Sequence, residues 1–378
     1  MRTEEPDAEQ LEQLPYAYWL NNIEGLGNRT KKELVNYAGS PKEVYGMPLS
    51  DIQKLVQERK WKNLERAKTE KAVIADYKSF MENKSGMRFI PMLHPEYPAK
   101  LLQTDDAPFA LYVQGKLPHG QIPAVAVIGA RQCSEYGRHM AERCGMELAE
   151  AGIQVISGMA RGIDGIAQGA ALRAGGEVYA VLGCGVDICY PEQNRNIYEQ
   201  LKTRGGICSE YLPQTAPRPQ LFPPRNRIIS GLSDIVLIIE AREKSGTLIT
   251  ADMALEQGRE VYALPGRVTD SLSEGCNRLL RQGAGVFVSV KEMLEENGWQ
   301  KKNRHTFEKS QQTEKNYASQ EEQEKERVLS SLDFYPLSIS ELLLRTNMEY
   351  RRLIYLLFQL GMEGRVRQIS ADSYILTT

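Results

Sequence analysis

The residues in this sequence best suited to chemistry are arginines that stand in or beside glycine-rich turns. The first group is Gly129-Ala130-Arg131, which directly follows an apolar run at residues 125–128. Glycine lets a backbone approach a phosphate closely, and a guanidinium offers a forked donor to phosphate oxygens. Arg131 stands where a dinucleotide-binding GxGxxG turn has its second glycine, which argues against NAD or NADP. The group therefore indicates a different kind of anion site.

A second turn of this kind opens a helical pattern and reads Ser157-Gly158-Met159-Ala160-Arg161. Successive amides of small residues form a nest that suits a phosphodiester, and a helix N-terminus carries unpaired N–H groups. Arg161 beside such a nest adds positive charge. The plainer alternative is a tight strand-to-helix turn with Arg161 facing solvent.

Two further stretches offer ligand contacts. In Arg225-Asn226-Arg227 the arginines point to opposite sides if the segment is extended and diverge if it is helical. One can then meet a phosphate while the other pairs with a core carboxylate. Asn226 suits either a base edge or a helix cap. The second stretch is Ser245-Gly246-Thr247, where the alternative is helix capping alone.

These turns are positioned by a series of apolar runs. Runs rich in Val and Ile, each followed by a turn and a helical pattern, predict buried parallel strands. Their alternation with helices from about residue 121 to 299 predicts a doubly wound, Rossmann-like α/β sheet. Because parallel strands of such a sheet end on one edge, the turns at Gly129, Gly158, Gly183 and Gly246 are expected to converge.

Bulk composition sets limits on partners and compartment. The net charge is −2, so a nucleic-acid partner requires positive charge concentrated in one pocket. The six cysteines have no CxxC spacing, which disfavours a zinc site and suits a reducing compartment. No run has membrane-spanning length and the N-terminus is acidic, so we expect no membrane span and a cytoplasmic location.

The chain is expected to have four parts. Residues 1–80 read as helical, with a Gly25-Leu26-Gly27 hairpin that either contacts a DNA phosphate or only packs. The core follows at 81–299. Residues 300–323 lack the apolar side chains needed to bury a core and read as a polar linker. Residues 324–378 show three helices and a two-stranded wing, a winged-helix pattern that binds either DNA or protein. Arg351, Arg352, Arg365 and Arg367 are its candidates for DNA contact.

Catalytic machinery is not evident in the sequence. It contains no nucleophile elbow, no paired-histidine metal motif and no Walker A lysine. Asp164, Glu210 and Glu240 fall near the expected pocket. Lone carboxylates among arginines are most simply their charge partners.

Together these motifs resemble the DNA-processing protein A family, also called Smf. The resemblance covers the whole core and includes the two turns described first, Tyr190-Pro191, Ser209-Glu210-Tyr211, residues 222–233, residues 240–251 and residues 258–266. One departure is Gln168, which stands where the family pattern has a histidine. The role of that histidine is therefore not transferred to this chain.

The resemblance implies a protein that binds and protects incoming single-stranded DNA and helps to load a RecA-type recombinase. It also implies a homodimer formed through the core, with no cofactor and no established catalytic activity. By motif position, Arg131 and Arg161 would bind phosphate above a floor of Ser157, Gly158 and Met159. The remaining candidate binding residues are Ala160, Gly183, Arg225, Asn226, Arg227, Ser245, Gly246 and Thr247.

Two alternative functions belong to other classes of protein, an enzyme and a protein-binding adaptor. A phosphoribohydrolase-like enzyme would bind nucleoside monophosphates at the same strand ends through a Gly-Gly-x-Gly-Thr turn and a glutamate on the next helix. Ser245-Gly246-Thr247 and Glu256 echo that pattern without the doubled glycine. Release of free base from a nucleoside monophosphate would identify it. A purely protein-binding adaptor would retain no oligonucleotide.

Overall fold

The computed structural model describes residues 8–68, 70–83, 86–299, 320–370 and 372–377. The chain divides into two compact units. The larger consists of Met1–Gln132 and Ala141–Gln300, and the smaller of Cys133–Met140 and Lys301–Thr378.

A nine-stranded sheet, counted over the described residues, forms the centre of the larger unit. Its strands are β1 (Met87–Pro91), β2 (Ala110–Gly115), β3 (Ala124–Ile128), β4 (Gln154–Ser157), β5 (Val178–Val181), β6 (Gly206–Ser209), β7 (Ile235–Ile238), β8 (Glu260–Ala263) and β9 (Gly285–Val286). They lie in the order β1-β2-β6-β5-β4-β3-β7-β8-β9. In this sheet order, the seven strands from β6 to β9 run parallel to one another, and β1 and β2 add an antiparallel edge.

The strand order reverses at β3. Val125 pairs with Val155 of β4 on one side and with Ile235 of β7 on the other, so the chain builds the sheet outward in both directions from this strand. Ligands of open α/β sheets bind at such a switch point, outside the carboxyl ends of the strands. The doubly wound fold expected from the sequence is confirmed, and the reversal identifies which edge of it forms a crevice.

Helices connect the strands. They are α7 (Ala99–Leu102), α8 (Glu135–Glu150), α9 (Ile163–Arg173), α10 (Arg195–Arg204), α11 (Phe222–Leu232), α12 (Gly246–Glu256), α13 (Glu274–Arg281) and α14 (Val290–Glu296), with short 3-10 turns at Glu192–Asn194 and Pro219–Leu221. The sequence left the conformation of Arg225–Arg227 open, and the structure makes it helical. Pro223 and Pro224 do not prevent this, because first-turn residues of a helix lack intrahelical N–H partners.

Before the sheet come six helices, all within the described residues: α1 (Ala8–Asn21), α2 (Asn28–Ala38), α3 (Pro41–Gly46), α4 (Leu49–Leu55), α5 (Glu58–Ala67) and α6 (Glu70–Asn83). An aromatic cluster joins them to the antiparallel edge of the sheet. The ring of Tyr18 lies 5.2 Å from those of Phe80 and Phe89, and Phe89 lies 5.4 Å from Tyr112. These packed rings make the helices part of the larger unit.

The start of α2, just after the Gly25-Leu26-Gly27 hairpin, is held by the core. The Asn28 side chain accepts the N–H of Phe109 at 3.2 Å and donates to Glu210 at 3.3 Å. Beside it, the Lys31 ammonium is buried and donates to the Asn21 carbonyl at 2.5 Å. These contacts favour the packing role of the hairpin over a DNA contact.

Lys31 predicts a pH-dependent stability. Burial lowers the pKa of Lys31 to about 8, and the carboxylate of Glu210 opposes the shift. Between pH 8 and the ordinary lysine pKa, unfolding therefore takes up a proton, so stability rises with pH in that window. We expect Lys31→Met to remove about 2 kcal/mol of this rise between pH 7.5 and 9.5. Urea titrations at pH 7.5 and 9.5 measure it; equal pH responses of the two proteins would contradict it.

Gln168 lies in the middle of α9 and is fully buried. Its Nε2 donates to the carbonyl of Tyr179 in β5 at 2.9 Å, which ties the helix to the sheet. A histidine ring N–H is the same kind of donor, so this position has a structural explanation in this chain.

The Gln168 contact predicts a graded response to substitution. Gln168→Leu keeps the volume but removes the donor, and we expect it to lower the free energy of unfolding by about 1–2 kcal/mol. Gln168→His restores a donor and should stay closer to the original protein. Tryptophan fluorescence during urea unfolding compares the two variants. A histidine variant as unstable as the leucine variant would contradict the explanation.

The smaller unit contains the C-terminal elements. They are α15 (Gln320–Ser331), β10 (Leu337–Ser338), α16 (Ile339–Thr346), α17 (Tyr350–Met362), β11 (Val366–Ser370) and β12 (Ser373–Leu376). The strands pair in the order β10-β12-β11, and Ser338 and Glu341 form a capping box at the start of α16. The first helix begins at Gln320, four residues before the sequence placed it, and the rest of the expected linker, residues 300–319, lies outside the described residues.

A helix needs about 20 predominantly apolar residues to cross a membrane. Within the ranges that the structure describes, none of the helices is both long and apolar enough to do so.

Candidate nucleic-acid cleft

The turns after β3, β4 and β7 meet at the switch point, together with the start of α11. They enclose two adjoining hollows of about 430 and 340 Å³, referred to below as the cleft. Both hollows are lined by the same central residues, Ala130, Arg131, Ala160, Phe222, Arg225, Lys244 and Ser245. The convergence predicted from the sequence is thus found for three of the four turns, whereas Gly183, after β5, lines neither hollow in the described chain.

Four exposed cations surround the cleft: Arg131, Arg161, Arg242 and Lys244. Among the described residues, none of the four has a carboxylate within ion-pair distance. The sequence prediction included the first two and missed Arg242 and Lys244. Their position was visible, since they stand in the same turn as Ser245. The cleft therefore has the local positive charge that the overall net charge conceals.

An aromatic pair forms one wall. The rings of Tyr190 and Phe222 stack with centroids 5.5 Å apart and planes inclined by 28°. The Arg131 guanidinium lies 5.5 Å from the centre of the Phe222 ring, a cation–π contact at the junction of the two hollows. The sequence prediction did not include either ring, because Tyr190 lies in a loop and Phe222 begins α11, and no local pattern connects the two.

The turn after β4 is held from beneath, which corrects one expectation. The Gly158 N–H donates to the Asp164 carboxylate at 3.1 Å, so this amide is already occupied by an internal anion. The Asn194 amide donates to the carbonyls of Met159 and Ala160, both at 3.0 Å, and Met159 has a φ of 52°. The expected nest of free amides at Gly158 is not present, and the cations around it are the available phosphate donors.

Arg225 anchors the same turn and is buried, with only 4% of its surface exposed. Its Nη1 donates to the Gly158 carbonyl at 2.8 Å and also to the carbonyl of Val181 in β5. A side chain at position 158 would collide with this guanidinium, so the close approach requires glycine. Arg225 thus supports the floor of the cleft.

Asp164 and Arg225 form a buried pair of charges. Burial raises the pKa of Asp164, while the positive charge of Arg225 opposes this. Burial likewise lowers the pKa of Arg225, and Asp164 opposes that shift. Each group offsets part of the cost of burying the other. Asp164 is therefore a charge partner, as the sequence suggested for its lone carboxylates.

Three of the candidate binding residues lie behind the cleft surface. Ser157 is buried and its hydroxyl donates to the Val127 carbonyl at 2.7 Å. Met159 is fully buried, and Gly183 is buried against the Phe222 ring. None of the three is among the lining residues of either hollow in the described chain. They instead shape the turns, because the residues at a strand end pack against the sheet and its helices, and only the following residues of the loop reach solvent.

Arg227 is directed away from the cleft. Its Nε donates to Asp106 and its Nη2 to Glu210, both at 2.7 Å. The divergence of two arginines spaced two apart on a helix, about 200°, explains why only Arg225 faces the cleft. Arg227 is thus held by two carboxylates and lines neither hollow in the described chain, so this geometry gives no support to its assignment to nucleic-acid binding.

The start of α12 lies where it was expected. Ser245 is the N-cap residue, and its hydroxyl accepts the Thr247 N–H at 3.2 Å. Gly246, Thr247 and Asn226 line the smaller hollow. Glu256, the residue that echoed a hydrolase, is at the far end of α12, about 15 Å along the helix from its start.

Comparison with known proteins agrees with this architecture. The profile of the family described as DNA recombination-mediator protein A matches residues 88–298, more than half of the chain. The profile of the DprA winged-helix domain matches residues 312–371. The winged-helix assignment made from the sequence is thus confirmed.

Individual relatives carry the same names. The Smf protein of Synechocystis is 40% identical over 211 residues, which are 55% of this chain and 53% of that protein. The chain thus spans about half the length of this curated relative. An X-ray structure of DNA processing protein A from Streptococcus pneumoniae has a TM-score of 0.66 at 33% identity, covering 75% of this chain and 97% of that one.

A second solved structure is that of DNA processing protein A from Helicobacter pylori, described for its single-stranded DNA binding mode. It has a TM-score of 0.51 at 28% identity and covers 57% of this chain and 97% of that one. The matched core, the winged-helix profile and the shared sheet are consistent with one another. The chain belongs to the DNA recombination-mediator protein A family, also named DprA or Smf.

Proposed function

We propose that this protein binds single-stranded DNA in the cleft at the switch point of its sheet. The observation that carries the proposal is the ring of four exposed arginine and lysine side chains around the cleft, without carboxylate partners in the described chain. Polynucleotide affinity arises largely from such phosphate contacts. The Helicobacter relative, with its single-stranded DNA binding mode, supports the same function.

The stacked rings of Tyr190 and Phe222 favour a single strand over a duplex. Unpaired bases can stack on exposed aromatic side chains, whereas bases in a duplex are already stacked on each other. Tyr190 is 42% exposed and so offers a ring face or edge to a base. Stacking of this kind does not depend on base identity, so binding is proposed to be largely sequence-independent.

We further propose the wider role implied by the family. The protein takes part in DNA processing during transformation or recombination, protects the strand and helps to load a RecA-type recombinase. It acts in the cytoplasm as a homodimer, without cofactor and without catalysis. Two clefts in a dimer bind one strand with greater avidity than a single cleft, which compensates for the small number of cations in each.

The binding proposal is tested by titrating labelled oligo-dT against a duplex of equal length at several salt concentrations. We expect the single strand to bind at least tenfold more tightly, with an affinity that falls as salt rises. Equal retention of both, or of neither, would overturn the proposal. Addition of a purified RecA-type recombinase to the bound strand then tests loading separately.

The aromatic wall yields a further prediction. Tyr190→Ala and Phe222→Ala each remove a stacking surface, and we expect each to weaken oligo-dT binding by about 1–3 kcal/mol. The salt dependence should remain unchanged, because no phosphate contact is lost. Tyr37→Ala removes an exposed tyrosine from α2 and is the matched control. If Tyr190→Ala and Phe222→Ala lose no more affinity than Tyr37→Ala, the two rings are not part of the binding surface.

A further inference from the structure

The outward face of α17 in the winged-helix unit is apolar. Tyr355 is 46% exposed, Phe358 67% and Met362 77%, and their spacing of three and four residues places them in one stripe along the helix. The opposite face is buried by Leu353, Leu356, Leu357 and Leu360. Arg351 continues the stripe one turn toward the N-terminus. We call Tyr355, Phe358 and Met362 the α17 stripe.

This stripe is poorly suited to DNA. A recognition helix reads the major groove with hydrogen-bonding and cationic side chains, whereas apolar ones find only thymine methyl groups there. Three of the four arginines considered for DNA contact are already in ion pairs, among them Arg367, which contacts Glu135. Arg352 contacts Glu324 at 2.7 Å, and Arg365 contacts Glu326 at 3.2 Å. Of the two partners considered for this domain, DNA and protein, these observations favour protein.

We propose that the α17 stripe pairs with the same stripe of a second copy of this chain, with the two helices antiparallel. In that arrangement Phe358 lies near the two-fold axis, and Tyr355 of each copy faces Met362 of the other. Thioether sulfur and aromatic rings make favourable contacts, so the stripe is complementary to itself.

The charges at the two ends of the helix support this orientation. Arg351 is exposed and has no carboxylate within ion-pair distance among the residues described. Glu363 stands just beyond the other end and remains 41% exposed although Lys325 contacts it. Antiparallel pairing brings each Arg351 toward the end of the second helix where Glu363 and Arg365 stand, and there Arg365 is already paired with Glu326. Parallel pairing would place the two Arg351 side chains together.

The pairing is expected to be weak by itself. Three large side chains per copy are far fewer than the 20–30 residues per side of a stable interface. Copies held on one DNA strand reach effective concentrations near the millimolar range, at which weak contacts form. In this respect the inference rests on the proposed function: it gives neighbouring proteins on a strand a means of cooperative contact.

The test uses a cysteine trap in the full chain. Phe358→Cys, oxidised with diamide in the presence of long oligo-dT, is expected to form disulfide-linked pairs at least tenfold faster than Leu344→Cys. Leu344 is the control because it is 84% exposed but lies on α16. The unaltered chain measures the background from the native cysteines. Equal rates for the two variants would overturn the pairing.

A second variant keeps the inference separate from the function proposal. Phe358→Glu is expected to abolish cooperativity on long oligo-dT and leave affinity for a one-site oligo-dT unchanged. Retained cooperativity would refute the pairing. Failure of the unaltered chain to bind any oligo-dT would refute the proposed function. In that case oxidation of the Phe358→Cys variant at high protein concentration, without DNA, still tests the pairing. Loss of duplex binding by Phe358→Glu, without trapping, would assign the stripe to DNA.

Discussion

Arg161→Ala is expected to weaken oligo-dT binding about tenfold to a hundredfold. A charge-assisted hydrogen bond contributes about 1.5–3 kcal/mol, and each 1.4 kcal/mol is a factor of ten in affinity. Arg161 is exposed at the larger hollow and has no ion pair in the described chain, so its removal subtracts a ligand contact and little else. Arg131→Ala should behave similarly and also lose its contact with Phe222.

Salt dependence distinguishes this effect from a general loss of structure. Each lost phosphate contact on a single strand reduces the slope of log K against log salt by about 0.7. Fluorescence anisotropy at four salt concentrations measures affinity and slope together. Arg204→Ala, an exposed arginine at the end of α10, is the matched control and should change neither. An Arg161→Ala protein with unchanged affinity and slope would reject the assignment.

Arg225→Ala is expected to lower the free energy of unfolding of the larger unit by about 3–5 kcal/mol. Removing one of two neighbouring buried charges leaves the other without compensation. Here Asp164 would remain buried under the cleft, and the carbonyls of Gly158 and Val181 would lose a donor. The effect differs in kind from that of Arg161, whose loss should leave stability nearly unchanged.

A double-mutant cycle identifies the pair as the cause. Arg225→Met combined with Asp164→Asn removes both charges, so we expect the double variant to be more stable than the sum of its single variants predicts. All three tryptophans, Trp19, Trp61 and Trp299, belong to this unit, so their fluorescence in urea reports its unfolding. Strictly additive single effects would show that the two charges do not stabilise each other.

The same cycle tests how the turn after β4 serves binding. Arg225 and Asp164 hold Gly158 from both sides of its peptide unit, and the neighbouring Arg161 extends from the turn so fixed. A folded double variant should bind oligo-dT more weakly with an unchanged salt slope, because the phosphate donors remain but their positions are less restricted. This combination of results separates a positioning role from a direct phosphate contact.

Much of the site could be predicted from local patterns along the sequence. The strand-turn-helix pattern placed Arg131, Arg161 and Ser245 at carboxyl ends of parallel strands, because buried parallel strands have a continuous apolar signature and a common direction. Arg242 and Lys244 shared a turn with Ser245 and were accessible by the same reasoning. The smaller unit was equally visible, since heptad-like leucines and the Ser338–Glu341 capping box are local signals.

What the sequence by itself determined was the set of strand ends, their small residues and the arginines beside them, because these follow from local periodicity and turn chemistry. Only the tertiary structure decided which arginines are free. Whether Arg225 and Arg227 face a ligand or a carboxylate depends on Asp164, Asp106 and Glu210, which reach them from distant segments. The pairing of Tyr190 with Phe222 was likewise decided by the fold, since the stacking joins a loop and a helix start that no local pattern connects.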